Sequence, residues 1–118
     1  ELWIAARTDP DLAATILEME RNPAWRDWIF KGGCGMKVRR PDRWGHTAAE
    51  LIHGRALSLA HRVLSQHDVY TDDCWASVYR DGQYCLPHSH LRSNVSIVYL
   101  LDEGDPDPDD SLMTGHLV

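Results

Sequence analysis

Trp75-Ala-Ser-Val-Tyr-Arg-Asp-Gly-Gln-Tyr-Cys-Leu-Pro-His-Ser-His90 carries two backbone signals and one chemical one. Trp75 to Tyr79 alternates large and small residues as a half-buried strand does, Asp81-Gly82 is a hairpin-type turn signal, and Gln83 to His90 continues extended, held there by Pro87. Alternate side chains of an extended chain leave on the same face, so His88 and His90 can address one ion while Ser89 points away. Two ligands make half a metal site. Lying after a turn and before an apolar run, the pair is expected at the mouth or on the inside of a curved sheet. The plainer alternative is one hydrogen-bonded core histidine and one exposed histidine.

Outward from this stretch the strand pattern continues. Asn94 to Leu101 is the richest β run in the chain, and after an Asp/Pro-rich loop over 102–111 a last strand is expected to begin near Thr114. Upstream the period changes. Asp9-Pro10-Asp11 followed by Leu12, Ile16, Leu17 and Met19 predicts a helix of about three turns with Asp9 as cap and Pro10 at the first position, ended by Asn22-Pro23. Residues 22–46 hold three Trp, four Gly and two Pro and show little periodicity; one short strand is expected there, near Met36 to Val38. Thr47-Ala-Ala-Glu50 reads as a capping box, and Ile52, Ala56, Leu59 and Val63 recur behind it at four-three-four spacing, with Leu57, Ala60 and Leu64 beside them. A helix over roughly 48–66 laying that stripe on a sheet follows. His53 and His61, eight apart, are flank residues of this helix, because metal pairs on helices use spacings of three or four.

Helices first and antiparallel strands afterward indicate an α+β architecture, the helices buttressing a sheet that curls into a barrel or a jelly roll. At 118 residues and 13.5 kDa the length suits a single domain over 1–118, with 1–70 as helical support and 71–118 as the strand region. Charged residues at 25% and hydrophobic ones at 43% are ordinary globular usage and argue against disordered, collagen-like or membrane classes. The net charge of −6 is local: Asp102, Glu103, Asp105, Asp107, Asp109 and Asp110 supply six acids, and the remainder holds 12 acids against 12 bases. Charge therefore does not indicate a nucleic-acid face, and Lys37, Arg39, Arg40 and Arg43 read as a solvated basic loop. The acidic run lacks the Gly and terminal Glu of a calcium loop and reads as a solvated hairpin tip. Cys34, Cys74 and Cys85 are odd in number and show no C-x-x-C spacing, which fits reduced thiols better than a disulfide framework. With no long apolar run and no charged-then-apolar leader, a cytoplasmic location without membrane contact is expected.

Two families share the histidine context. Gly82, the five residues Gln83 to Pro87 and His88-x-His90 resemble the opening of the cupin motif, although the Glu that should follow is absent and Asn94 and Val95 stand there. A longer set of anchors, Trp75-Ala-Ser-Val-Tyr79, Gly82, Pro87-His88-x-His90, Ser96-Ile-Val-Tyr99-Leu and Gly115-x-Leu117, resembles the bacterial iron(II)- and 2-oxoglutarate-dependent oxygenases over about residues 75–118. The resemblance implies N-terminal helices packed on a double-stranded β-helix, a jelly-roll or cupin-like sheet, with the helix near 48–66 as its support.

It further implies a dioxygenase, an oxidoreductase that hydroxylates a small molecule or amino-acid-like substrate with Fe(II) and 2-oxoglutarate as cofactors. Three protein ligands on one face leave positions for the 2-oxoacid and O₂. His88 takes the place of the first iron ligand. His90 falls where most of these oxygenases have Asp or Glu, which makes it either a third nitrogen ligand or a neighbour of the iron; a neutral imidazole there removes negative charge from a site for a hard dication. Tyr99 is placed to hydrogen-bond 2-oxoglutarate from the inner wall, against the plainer reading as core. Cys85 reads as a buried thiol rather than a soft ligand, and Arg80 and Arg92 flank the motif as surface charges or contacts for an anionic substrate. The family's distal His and the Arg or Lys that pairs with the far carboxylate would fall beyond residue 118, and His116 occupies the variable place of Gly-x-Leu. The expectation is that the chain is part of a longer polypeptide, the alternative being a non-catalytic metal- or ligand-binding module. The expected partner is a small-molecule substrate, with a homodimer left open.

Overall fold

The computed structural model describes residues 9–28, 35–65, 67–85 and 88–102. The first helix, α1, is Pro10–Glu20. Asp9 stays extended in front of it, and its Oδ1 accepts the Leu12 N–H at 3.0 Å, so the expected cap is in place. Leu12, Ile16 and Glu20, four apart, form the buried face. Past the helix the Asn22 carbonyl accepts the Trp25 N–H at 3.0 Å, and this turn delivers the chain into the first strand, β1, Arg26–Trp28.

The second strand, β2 (Met36–Arg39), fulfils the expectation of a short strand near Met36 to Val38. It is central in a three-stranded antiparallel sheet ordered β1-β2-β3, where β3 is Trp75–Val78. Register follows from the pleat: Met36 lies opposite Val78 and Val38 opposite Ala76 on the face toward α1, while Lys37 opposes Ser77 and Arg39 opposes Trp75 on the other face. Met36 and Val38 are buried, with Val38 at 0% exposure. Two of the three strands thus come from the stretch assigned to helical support, so the division at residue 70 does not describe this fold. Helix and strand segments interleave instead.

Between β2 and the second helix the chain turns through Arg40, a non-glycine residue at φ 54°, and a 3₁₀ turn, Pro41–Arg43. The basic stretch is not a solvated loop. Lys37 pairs with Asp73 at 2.7 Å, Arg39 with Asp27 and Arg40 with the buried Asp42 side chain. Cys74 is a free thiol, as expected; burial, and then the charge of Asp42, push it above its ordinary value, which keeps it protonated and unreactive. Cys34 lies outside the described residues.

Helix α2 is Thr47–Val63, and two expectations about it need correction. The cap is His46, not Thr47: the His46 Nδ1 accepts the Ala48 N–H at 3.2 Å while its Nε2 meets Asp11 Oδ2 at 2.9 Å. With Nδ1 as acceptor, the proton sits on Nε2 and is donated to Asp11, so one imidazole closes α2 and ties it to the first turn of α1. His46→Ala should cost about 1–2 kcal/mol by removing cap and clasp together. His46→Asn should recover roughly half of that; urea unfolding with no difference between the two variants would disprove the dual role.

The buried stripe of α2 is also turned from the expected one. Ala49 is buried and Ile52 packs against the core, whereas Leu59 is 41% and Val63 60% exposed. The core is Leu12, Ile16, Val38 and Ala49, ringed by Met19, Trp25, Trp44, Ile52, Ala76, Val78 and Leu101, so it lies under the first half of α2. His53 joins Thr71 Oγ1 at 2.6 Å, pinning the chain before β3, and His61 is exposed, which agrees with their reading as flank residues.

The turn after β3 is as expected: Gln83 N–H donates to the Arg80 carbonyl at 2.8 Å, and Gly82 takes the positive φ of 74° that the turn requires. The strands expected at Gln83 to His90 and at Asn94 to Leu101 are not formed among the described residues, where the only sheet is the three-stranded one. Ile97, Val98 and Tyr99 remain substantially exposed. β-branched composition supplies propensity, but a ladder also needs an opposing edge. The described architecture is therefore α+β, two helices against a small antiparallel sheet. The acidic loop from Glu103 onward, the strand near Thr114, His116 and Gly115-x-Leu117 lie outside the described residues. No helix among the described residues is long and apolar enough to cross a membrane.

Candidate functional site

The outer face of the sheet, opposite α1, is built by the alternation that sends Met36 and Val38 inward. Lys37 and Trp75 emerge on it from neighbouring strands, and the Lys37 Nζ stands 4.0 Å from the centroid of the Trp75 ring. The same ammonium donates to Asp73 Oδ2 at 2.7 Å, and Asp73 Oδ1 accepts the Cys74 N–H at 2.9 Å. Partial burial pushes the Asp73 carboxyl up, but the Lys37 hydrogen bond and charge, the Cys74 amide and Arg40 outweigh it, so it ionises below its ordinary value. A charged aromatic floor results.

His90 lies against that floor, its ring centroid 5.7 Å from that of Trp75 at a tilt of 36°. His88 meets His90 edge to face, centroids 4.8 Å apart and planes at 70°. The pair expected to share one side of the chain does so. Beyond it the Ser93 N–H donates to the His90 carbonyl at 3.0 Å, which turns the chain back. The resulting open groove of ≈ 550 Å³ is lined by Lys37, Asp72, Asp73, Trp75, the histidines and Arg92.

The surroundings differ from those expected. Both histidines are exposed and sit on the solvent face of the sheet, not inside a curved one. Cys85 does approach the pair, its Sγ 3.6 Å from His88 Nδ1. That contact engages Nδ1 from behind, the arrangement in which a metal-binding imidazole generally offers Nε2. Tyr99 is 43% exposed and does not line the groove. Arg80 is turned away altogether, bound to Glu20. Lys37 and Asp73 are the groove residues that sequence reasoning missed, because their approach to Trp75 depends on the pairing of β2 with β3.

Two imidazoles on one side of the chain fit half of a facial metal set. Among the described residues no cluster of three His, Cys, Asp or Glu side chains is arranged to hold an ion. Fold and site define an α+β protein with a histidine pair on the outer face of its sheet. Compared with protein-family models, curated proteins and solved structures, the chain matches none.

Proposed function

We propose that the protein is a non-haem Fe(II)- and 2-oxoglutarate-dependent dioxygenase that hydroxylates a small molecule or amino-acid-like substrate. The observation that carries the proposal is the edge-to-face approach of His88 and His90 over a groove walled by an aromatic ring, two cations and two carboxylates. The Pro87-His88-x-His90 segment and its flanking anchors support it from the sequence. His88 is the proposed first ligand, through Nε2, and His90 the second. Iron(II), when bound, supplies the open coordination positions at which a 2-oxoacid and O₂ react. The chain's own part is to hold two imidazoles together, while Arg92 offers a cationic partner for a carboxylate group entering the groove. Tyr99 remains the proposed 2-oxoglutarate contact, on the resemblance alone. The jelly-roll sheet is likewise proposed, and so is a cytoplasmic setting.

Anaerobic Co(II) titration, followed by its visible absorption, tests the ligand assignment without relying on turnover. His88→Ala should weaken binding by at least roughly 10–100-fold, the range already seen when groups merely supporting a ligand are removed. Equal affinity in wild type and His88→Ala would refute the assignment. A second reading, a non-catalytic cupin-like metal- or ligand-binding module, is favoured because no three donor side chains among the described residues are arranged to hold an ion. Fe(II)-dependent succinate formation from 2-oxoglutarate separates the two: the enzyme produces it and the module does not.

A further inference from the structure

On the core side of the sheet, away from the histidines, the C-terminal end of α1 carries an unusual acid. Glu20 is the last residue of the helix, where the dipole disfavours negative charge, and it is only 6% exposed. Arg80, 60 residues later, closes on it with both terminal nitrogens, Nη1 to Oε1 at 2.7 Å and Nη2 to Oε2 at 2.6 Å. One guanidinium thereby occupies both carboxylate oxygens, and the two charges cancel.

Two more guanidiniums line the same recess. Arg21 caps α1 and Arg26 opens β1; with Met36 and Gln83 they complete a cavity of ≈ 370 Å³ around the ion pair. Both lower the Glu20 carboxyl through their charge, after the larger effects of Arg80 and of burial, so both are within electrostatic reach of it. Neither forms an ion pair among the described residues. Among the described residues the only acid of the lining is already matched by Arg80, which leaves the charges of Arg21 and Arg26 without an acidic partner there. Gln83 adds an amide whose oxygen is engaged by the Arg80 N–H at 2.8 Å, which leaves its NH₂ as a donor. Met36, buried at 8% exposure, supplies an apolar floor.

Guanidinium forks match the oxygens of a phosphate, and a phosphate monoester is a dianion above its second pKa of about 6. The volume falls in the range of small-molecule pockets, about 300–1,000 Å³. We propose that this recess binds the phosphate group of a small phosphorylated molecule, with Arg21 and Arg26 holding the dianion and Met36 the carbon beside it. The Glu20–Arg80 pair is the positioning element: it ties the end of α1, beside Arg21, to the turn after β3 and keeps the local acid from repelling the ligand.

The test is NMR titration of the full 118-residue chain with phenyl phosphate at constant ionic strength, reading the Met36 methyl and the arginine Nε–H signals. Saturable shifts at these groups are expected, with affinity rising as the pH passes upward through about 6, where the ligand becomes a dianion. Arg21→Ala and Arg26→Ala should each weaken binding roughly tenfold or more, and the double variant should abolish it. Both side chains are exposed, so circular dichroism should show the folds intact. His88→Ala, in the histidine groove, should leave phenyl phosphate affinity unchanged while it weakens Co(II) binding, which makes failure of this site distinguishable from failure of the metal proposal. Linear shifts that persist in the double variant would mean non-specific ion effects and overturn the proposal. Binding to phosphatidic acid vesicles without binding to phenyl phosphate would overturn it in favour of a lipid headgroup site.

Discussion

Gly35→Ala is expected to lower stability by about 3 kcal/mol, and the melting temperature by on the order of 10 °C. Gly35 is buried immediately before β2, where the chain passes across the end of β3. A Cβ at that position would fall well inside contact distance of the Val78 carbonyl oxygen and 2.7 Å from Tyr79 Cδ1. The ring can swing aside, but the carbonyl belongs to the backbone of β3 and cannot move without pulling the β2–β3 ladder apart. Truncating Tyr79 in the Gly35→Ala background should therefore rescue little. Thermal unfolding that shows Gly35→Ala as stable as wild type would contradict this close approach. The outer-face groove depends on the same ladder, so the variant should also weaken Co(II) binding at the histidines although it touches neither.

Arg80→Ala should cost about 2 kcal/mol near neutral pH. Removing one partner of a fully buried pair costs more, but the Arg80 side chain is 55% exposed, and solvent screens part of the interaction. The pH dependence gives a sharper check. In the folded state the Arg80 hydrogen bond leads the effects on Glu20; burial opposes it, but with Arg26 and Arg21 it holds the carboxyl below the ordinary value of 4.5. A depressed folded pKa means that the unfolded chain takes up the proton first as acid is added. The stabilisation is thus complete above about pH 4.5 and is lost as the pH falls through the lowered folded value. The stability gap between wild type and Arg80→Ala should accordingly narrow between neutral pH and about pH 3 in urea unfolding. A gap of constant size would show that Arg80 acts by packing and not through the Glu20 charge.

How much of this was legible in advance depended on the distance over which each interaction acts. Asp9-Pro10 specified the start of α1 because the cap reaches only three residues, to Leu12. Gly82 specified its turn because positive φ is a property of a single residue. The Thr47 signal failed for a reason of the same kind. Its competitor His46 gains from Asp11, 35 residues earlier, a partner that no local pattern reports. The apolar period of α2 revealed a helix, but Leu51, Leu59 and Val63 show that it did not reveal which side would find a neighbour.

For the site, the sequence alone determined that two histidines would share one side of the chain, since i and i+2 side chains do so wherever the backbone is extended. It also determined both helices in outline and the α+β class, through local capping and period. Tertiary structure decided the rest: which face of the sheet the histidines border, that Lys37, Asp73 and Trp75 form their floor, and that Arg80 serves Glu20. Each of those facts is a meeting of side chains brought together by strand register or by packing. Register depends on the whole pattern of buried residues on both strands, so it is set only when Met36 and Val38 turn inward together against Val78 and Ala76.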